Sequence, residues 1–188
     1  KRCYLVPKQE GGTSLTRLKK IQKFCQQVAQ AMAAVLEVEV AMVDEKLCLI
    51  AASGHYKSKI GMSFGKNCIS YQVLVTGKTF VVPNSGEHEA CHLCPHRPTC
   101  PDIAEICLPI MKENMVIGTF AIIAFNEEQK EKLLSKEKRL VEFVARVSDL
   151  LAFAIEAGQL TDELSVLAKE FQAVVNSVSA GILALDRA

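Results

Sequence analysis

The stretch from Val116 to Phe125 restricts the fold of this chain more than any other, because it reads Val-Ile-Gly-Thr-Phe-Ala-Ile-Ile-Ala-Phe and carries no charge. A strand this apolar has to be covered on both faces, so we expect it in the middle of a sheet. Residues 105–111 form a second predicted strand, and Lys112-Glu113-Asn114 is the turn that joins the two. The chain therefore has to supply a covering layer on each side of the sheet.

Changes in the spacing of apolar residues predict the other elements. Apolar residues recur at spacings of three and four from Leu15 to Leu36, alternate from Val38, and return to a helical spacing after Asn67. The predicted elements are a helix over 14–36, a hairpin over 38–52, a helix over 67–76 that ends at Gly77, and a strand over 78–83.

The segment His88–Cys107 holds four of the eight cysteines, three of the four histidines and three of the six prolines. It is short of apolar side chains, so packing alone is not expected to order it. The spacing is Cys-x2-Cys-x5-Cys-x6-Cys, and the two-residue gap between Cys91 and Cys94 lets two thiolates converge on one metal centre. A proline directly after Cys94 and another after Cys100 stiffen the segment.

Three chemistries fit this spacing. Zinc would take four ligands from cysteines and histidines. An iron-sulfur cluster would take thiolates, and the spacing resembles that of the fumarate and nitrate regulators and the WhiB-like regulators, which carry labile [4Fe-4S] clusters. A metal-free thiol switch would close a disulfide between Cys91 and Cys94 on oxidation. Thiols in a surface loop, without any ligand, are the remaining alternative.

Candidate ligands follow from these chemistries. Cys91, Cys94 and Cys100 are predicted ligands of either a zinc ion or a cluster. The fourth ligand is predicted to be Cys68 or Cys107. With the other three cysteines, Cys68 would form a cofactor-binding site, and Cys107 would form a metal site. Thiolates are favoured there because a cluster prefers them. The histidine alternatives for zinc are His88, His92 and His96.

Composition excludes several classes of function. The 22 basic and 21 acidic residues give a net charge of +1, so we expect no direct nucleic-acid contact. No stretch approaches the roughly eighteen apolar residues of a membrane span, and no signal peptide is recognisable. Eight cysteines in such a chain predict a reducing, cytoplasmic location. The common hydrolase, phosphate-loop, dinucleotide and zinc-protease motifs do not occur, so we expect no enzyme.

The order of elements, together with Glu105-Ile106-Cys107-Leu108-Pro109-Ile110 followed by Val116-Ile117-Gly118, resembles a GAF domain over roughly residues 14–155. The resemblance implies an α+β fold with an antiparallel sheet flanked by helices. It also implies a small molecule or cofactor bound between the sheet and the loops on one face. The cysteine-rich segment falls on that face.

Two apolar stripes follow Asn126. One is expected to close against the sheet, and the other has the period of 3.5 that is typical of a coiled-coil seam. A long C-terminal signalling helix and a homodimer through this helical exit are therefore predicted. The first stripe comprises Leu140, Val144, Val147, Leu151 and Ile155. The second comprises Phe143, Leu150, Phe153, Ala157, Leu160, Leu164, Leu167, Phe171, Val174 and Val178.

Residues 171–188 resemble the beginning of a PAS domain, which would continue into further output domains. The predicted organisation is an irregular lead over 1–13, a GAF-like sensor domain over 14–155, a linker helix over 156–170 and the start of a PAS domain over 171–188. A GAF module joined to a PAS module resembles the input region of bacterial sigma-54-dependent activators and of some sensor histidine kinases.

The leading hypothesis is a cytoplasmic sensory domain of a bacterial transcriptional regulator. It would sense redox state, oxygen or a metabolite through an iron-sulfur cluster or a zinc ion. The alternative is a small-molecule-binding GAF domain in which the cysteine-rich segment is a structural zinc lid. A metal-dependent hydrolase or reductase is a third hypothesis.

Overall fold

A computed structural model of the chain describes residues 15–94, 97–158 and 161. Five antiparallel strands form one sheet in the order β2-β1-β5-β4-β3. The strands are β1 Glu39–Asp44, β2 Leu49–Ala52, β3 Phe80–Val82, β4 Ala104–Lys112 and β5 Met115–Ala124. The helices are α1 Arg17–Lys20, α2 Gln22–Leu36, α3 Ile69–Thr76, α4 Glu127–Ser135 and α5, described over 137–158. The α+β prediction is confirmed.

The apolar stretch from Val116 to Phe125 forms most of β5, which pairs with β1 on one side and β4 on the other. Every residue from Ile117 to Ala124 is buried. The prediction of a central strand covered on both faces is therefore confirmed. Gly77 ends α3 in a left-handed conformation, as the sequence predicts.

The two faces of the sheet carry side chains of different size. The first face packs against α2 and α5 and presents Val40, Met42, Ile106, Leu108, Phe120 and Ile122. The second face presents Ala41, Val43, Cys107, Ala121 and Ile123. Because Ala41 and Ala121 are small, space remains between this second face and the elements that cover it.

Three elements cover the second face. They are a 3-10 helix at Gly54–Lys59, helix α3, and the cysteine loop, which we define as residues 83–103. The base of the loop is closed by a hydrogen bond from Ser85 N to Ile103 O of 2.9 Å. Within the described part of the loop, the other backbone hydrogen bonds that begin and end in the loop join residues three or four positions apart.

The first helix is divided where the sequence predicts continuity. The chain turns at Ile21, which ends α1 and begins α2. Thr16 occupies the N-cap position of α1, but its hydroxyl donates to Asp44 Oδ2 at 2.7 Å and so ties the helix to β1. Leu15 and Val35, which belong to the helical spacing of apolar residues, are exposed because they lie at the two ends of this helical region.

The first predicted stripe of α5 closes against the sheet, as expected. Leu140, Val144, Leu151 and Ile155 are buried in the cluster on the first face. The described residues Phe143, Leu150 and Phe153 of the second stripe point away from the domain and are 45%, 61% and 68% exposed. The predicted seam positions from Leu160 to Val178, and the predicted PAS start at 171–188, lie outside the described residues. Within the described part of the chain, no helix combines the length and apolar character needed to cross a bilayer.

Candidate functional site

A cavity of about 70 Å³ lies between the second face of the sheet, α3 and the cysteine loop. Ala41, Ala121 and Ile123 form its floor. Its wall contains four of the predicted ligands and two carboxyl groups, namely Cys68, Cys91, Cys94, Cys100, Asp102 and Glu105. A volume of about 10 to 15 Å³ holds one water, so this cavity accepts an inorganic group or a small organic one. The structure thus brings the predicted cofactor-binding set together.

Local structure explains how each of these cysteines reaches the cavity. Cys68 is the N-cap residue of α3, so its side chain stands at the start of that helix. Cys91 ends a short 3-10 helix and packs into the cluster on the second face. Cys94 N donates to Cys91 O at 3.0 Å, which makes the Cys-x2-Cys spacing a tight turn. A further 3-10 turn at Arg97–Thr99 leads to Cys100.

Cys107 occupies a different position. It lies on β4, paired with Ala121 of β5 and Phe80 of β3, and it is completely buried. Its thiol is near Ser70, Glu105 and Cys68, but it is not part of the cavity wall. The structure therefore places Cys107 beneath the cavity, behind Cys68.

The histidines predicted as zinc alternatives are not brought to the cavity where they are described. His88 is the N-cap of the 3-10 helix Glu89–Cys91, and its Nδ1 accepts from Ala90 N at 3.2 Å. His92 is exposed on the loop surface. His96 lies outside the described residues.

Burial raises the pKa of two thiols, those of Cys68 and Cys107. It raises the pKa of Cys68 to about 12, and the N–H of Tyr71 offsets this only in part. Burial likewise raises the pKa of Cys107 well above its ordinary value, and the nearby carboxyl of Glu105 adds to the effect. A thiolate is the metal-binding form of cysteine, so a metal would have to displace these protons.

The two carboxyl groups of the wall are also shifted. Burial raises the pKa of Asp102 to about 6, although Tyr56 Oη donates to its Oδ1 at 2.9 Å and Lys59 lies nearby. Burial, with Asp102 as the second cause, raises the pKa of Glu105 to about 8. The cavity therefore concentrates acidic groups that are poor at holding negative charge unless a cation joins them.

The candidate metal-ligating side chains are spread around the cavity wall and do not meet at a single point. Among the described residues, no group of three or more histidine, cysteine, aspartate or glutamate side chains is arranged to hold one metal ion. Zinc–sulfur bonds of about 2.3 Å require tetrahedral thiolates roughly 3.8 Å apart. A zinc ion would thus require the loop to tighten, whereas a [4Fe-4S] cluster takes its thiolates on separate irons.

Sequence reasoning missed Tyr56, Asp102 and Glu105. Glu105 carried a usable signal, because a charged residue stands at an inward position of a predicted apolar strand. Asp102 follows Cys100 by two positions, but its contact with Tyr56 crosses 46 residues and depends on the tertiary fold.

The GAF domain family model matches residues 20–155. The chain belongs to the GAF domain family. In this GAF domain the cavity therefore lies on the face predicted from the resemblance, between the sheet and its loops.

This GAF domain is similar to a bacterial transcriptional regulator over most of its length. Over 178 residues it is 26% identical to the sigma-54-dependent transcriptional regulator UacR of Escherichia coli (strain K12), whose name associates that protein with uric acid. The match covers 94% of this chain and 30% of UacR. The chain thus spans under a third of the length of the relative it matches.

Solved structures show the same fold. The nlh2 GAF domain of A. aeolicus superposes with a TM-score of 0.54 at 17% identity, covering 75% of this chain and 98% of that one. Free methionine-R-sulfoxide reductase of Neisseria meningitidis gives 0.52 at 17% identity, covering 74% and 80%. GAF domains are typically sensory, but the fold also supports an enzyme.

Proposed function

We propose that this GAF domain is the signal-input domain of a sigma-54-dependent transcriptional regulator. It senses redox state, oxygen or a metabolite through a metal centre in the cavity, either an iron-sulfur cluster or a zinc ion, and it does not itself catalyse a reaction. The observation that supports the proposal is that Cys68, Cys91, Cys94 and Cys100 all line one cavity on the second face of the sheet. Such a regulator would work in the cytoplasm, with PAS and output domains downstream.

The electrostatics of the cavity support a metal centre. Its described wall contains four thiols and two carboxyl groups, and Arg97 is the one cation in it. Arg97 Nε donates to the carbonyl of Gly86, which holds this side chain against the loop backbone. A metal cation would compensate the acidic groups.

Two connections lead from the site toward the C-terminal helix. Lys130 Nζ of α4 donates to Asn84 Oδ1 at the base of the cysteine loop, at 2.7 Å. Strand β4 carries Glu105 near one end and Lys112 at the other, and Lys112 Nζ lies 3.9 Å from Glu156 Oε1 of α5. A change in the loop would therefore reach α4, and a change in β4 would reach α5, which is the element that leads out of the domain.

Anaerobic purification, with metal analysis and a visible spectrum, tests the proposal. We expect a brown protein that contains iron and sulfide, or a colourless protein that contains zinc, at about one centre per chain. Zinc alone would favour the alternative, a small-molecule-binding domain with a zinc lid. Protein that contains neither metal, and that gains neither on reconstitution, would contradict a metal centre.

The exposed stripe of α5 predicts a homodimer. Phe143, Leu150 and Phe153 lie on the side of α5 away from the core, and complete burial of such a side chain contributes about 1.5 to 3 kcal/mol. Leu150→Glu should shift the protein to monomer, because it places a charge in the seam of both chains. Val75→Glu, at an equally exposed apolar position on α3, should leave the mass unchanged. Light scattering measures the mass of both variants. A wild-type protein that is monomeric at high micromolar concentration would contradict the predicted homodimer.

A further inference from the structure

Two of the cavity thiols belong to elements that pack against each other. Cys68 stands at the start of α3. Cys94 lies in the cysteine loop, three residues after the 3-10 helix Glu89–Cys91, and that helix lies directly against α3. Both cysteines line the cavity and both are partly exposed, so neither is sealed within the core.

Electrostatics place the Cys94 thiol close to Cys68. Burial raises the pKa of Cys68 to about 12, and the carboxyl of Glu105 and the thiol of Cys94 add to the rise. An interaction of this kind weakens with distance, so it requires that the two side chains be near each other. Cys68 and Cys94 are therefore neighbours at the junction of α3 and the loop.

The other thiols of the site have different surroundings. The Cys100 thiol donates a hydrogen bond to the Asp102 carboxyl. Cys107 is completely buried beneath the cavity, and Cys91 packs into the apolar cluster on the second face. The thiol at the start of α3 and the thiol that follows the turn of the loop are thus the pair best placed to react with each other.

We propose that Cys68 and Cys94 form a disulfide on oxidation, which joins α3 to the cysteine loop across the cavity. The oxidant is a peroxide, here hydrogen peroxide. One thiol attacks a peroxide oxygen and becomes a sulfenic acid, and one water leaves; the other thiol then attacks that sulfur, the S–S bond forms, and a second water leaves. The two thiols lose two electrons and the peroxide gains them.

The inference rests on the proposed function, because it takes this cavity as the sensing site, and it names redox state as the signal. A disulfide requires Cα atoms about 4.4 to 6.8 Å apart. The loop can adjust to this distance, since its described internal backbone hydrogen bonds, apart from the one that closes its base, are local turns. The disulfide and a metal held by the same thiols exclude each other, so the disulfide forms in metal-free protein.

Peptide mapping tests the proposal. The protein is held in excess chelator, treated with hydrogen peroxide, alkylated, and digested with trypsin without reductant. Trypsin separates residues 67–78, which carry Cys68, from residues 79–112, which carry the other cysteines of the site, because it does not cut between Arg97 and Pro98. We expect one species that contains both peptides and that dithiothreitol separates. A disulfide confined to the loop would leave the two peptides apart and would overturn the proposal.

Two variants identify the loop cysteine that forms the bond. Cys94→Ser should lower the yield of the linked species at least about tenfold, because a thiol outside the permitted range of distances does not bridge. Cys100→Ser is the matched control in the same metal-free loop, and it should give the wild-type yield. A full yield from Cys94→Ser, or an equal loss in both variants, would contradict the pairing.

Thermal unfolding shows whether the bond constrains the fold. In reductant, Cys68→Ser and Cys94→Ser should melt close to the wild-type temperature, which verifies that both variants fold. Peroxide should raise the wild-type melting temperature by roughly 10 °C, because a disulfide restricts the unfolded chain. It should leave both variants unchanged. A wild type without this shift, or an equal shift in all three proteins, would count against the disulfide.

Metal analysis separates this inference from the proposed function. A wild type that binds iron or zinc, but forms no linked species in chelator, would keep the metal centre and overturn the disulfide. A wild type that binds neither metal, yet forms the linked species, would support the disulfide and contradict the metal centre.

Discussion

Cys94→Ala and Cys100→Ala should each remove nearly all iron or zinc from the anaerobically isolated protein. A metal centre of this type needs a closed set of ligands, and loss of one thiolate opens a coordination position. Both thiols line the cavity, together with Cys68 and Cys91. Metal analysis and the visible spectrum measure the loss.

Cys25→Ala is the matched control for these variants. Cys25 is completely buried in the cluster on the first face, and burial raises its pKa to about 12. It lies on the other side of the sheet from the cavity, so its variant should keep the full metal content. Unchanged metal in Cys94→Ala and Cys100→Ala, or equal loss in all three variants, would contradict a centre held by the loop cysteines.

Gly118→Ala should destabilise the domain by about 3 kcal/mol, at the upper end of overpacking costs. A Cβ atom at Gly118 would overlap Leu18 Cδ1 and lie 2.5 Å from the carbonyl oxygen of Val43. Gly118 pairs with Asp44 across the β1–β5 ladder, so the carbonyl can retreat only if this pairing is disturbed. A loss of this size lowers the melting temperature by roughly 10 °C in a protein of this length.

Gly158→Ala provides the control, because no atom lies within 4 Å of a Cβ placed there. Alanine has a higher helix propensity than glycine, by up to about 1 kcal/mol, so this variant should match or exceed wild-type stability. Denaturant unfolding followed by circular dichroism gives both values. Wild-type stability in Gly118→Ala would show that the sheet can shift to accept a methyl group.

Patterns confined to neighbouring residues were predicted well from the sequence. The apolar run ending at Phe125 identified the central strand, Gly77 identified the end of α3, and the α5 stripe beginning at Leu140 identified the face that packs on the sheet. In each case the local structure is decided by the spacing of apolar residues or by the backbone conformation that one residue must adopt. The break at Ile21 was not predicted, since apolar residues continue through it with a helical spacing.

The candidate site was predicted in part. The spacing of Cys91, Cys94 and Cys100 pointed to one centre, and Cys68 was offered beside Cys107 as a fourth ligand because a cluster prefers thiolates. Cys107 and Glu105 alternate with Ile106 on one strand, so they face the same side of the sheet. The packing of α3 against that strand decides which of the two side chains reaches the cavity. No local sequence pattern predicts this packing.

The closed base of the cysteine loop has a consequence for folding cooperativity. Beyond the bond that joins Ser85 to Ile103, the backbone hydrogen bonds within the described loop are turn-like, whereas the sheet is held by long ladders. Segments held by local contacts open at lower free energy than ladders do, and they form a separate cooperative unit. The loop can therefore lose its order while β4 and β5 stay intact. Release of a ligand from this cavity would therefore not require the sheet to unfold.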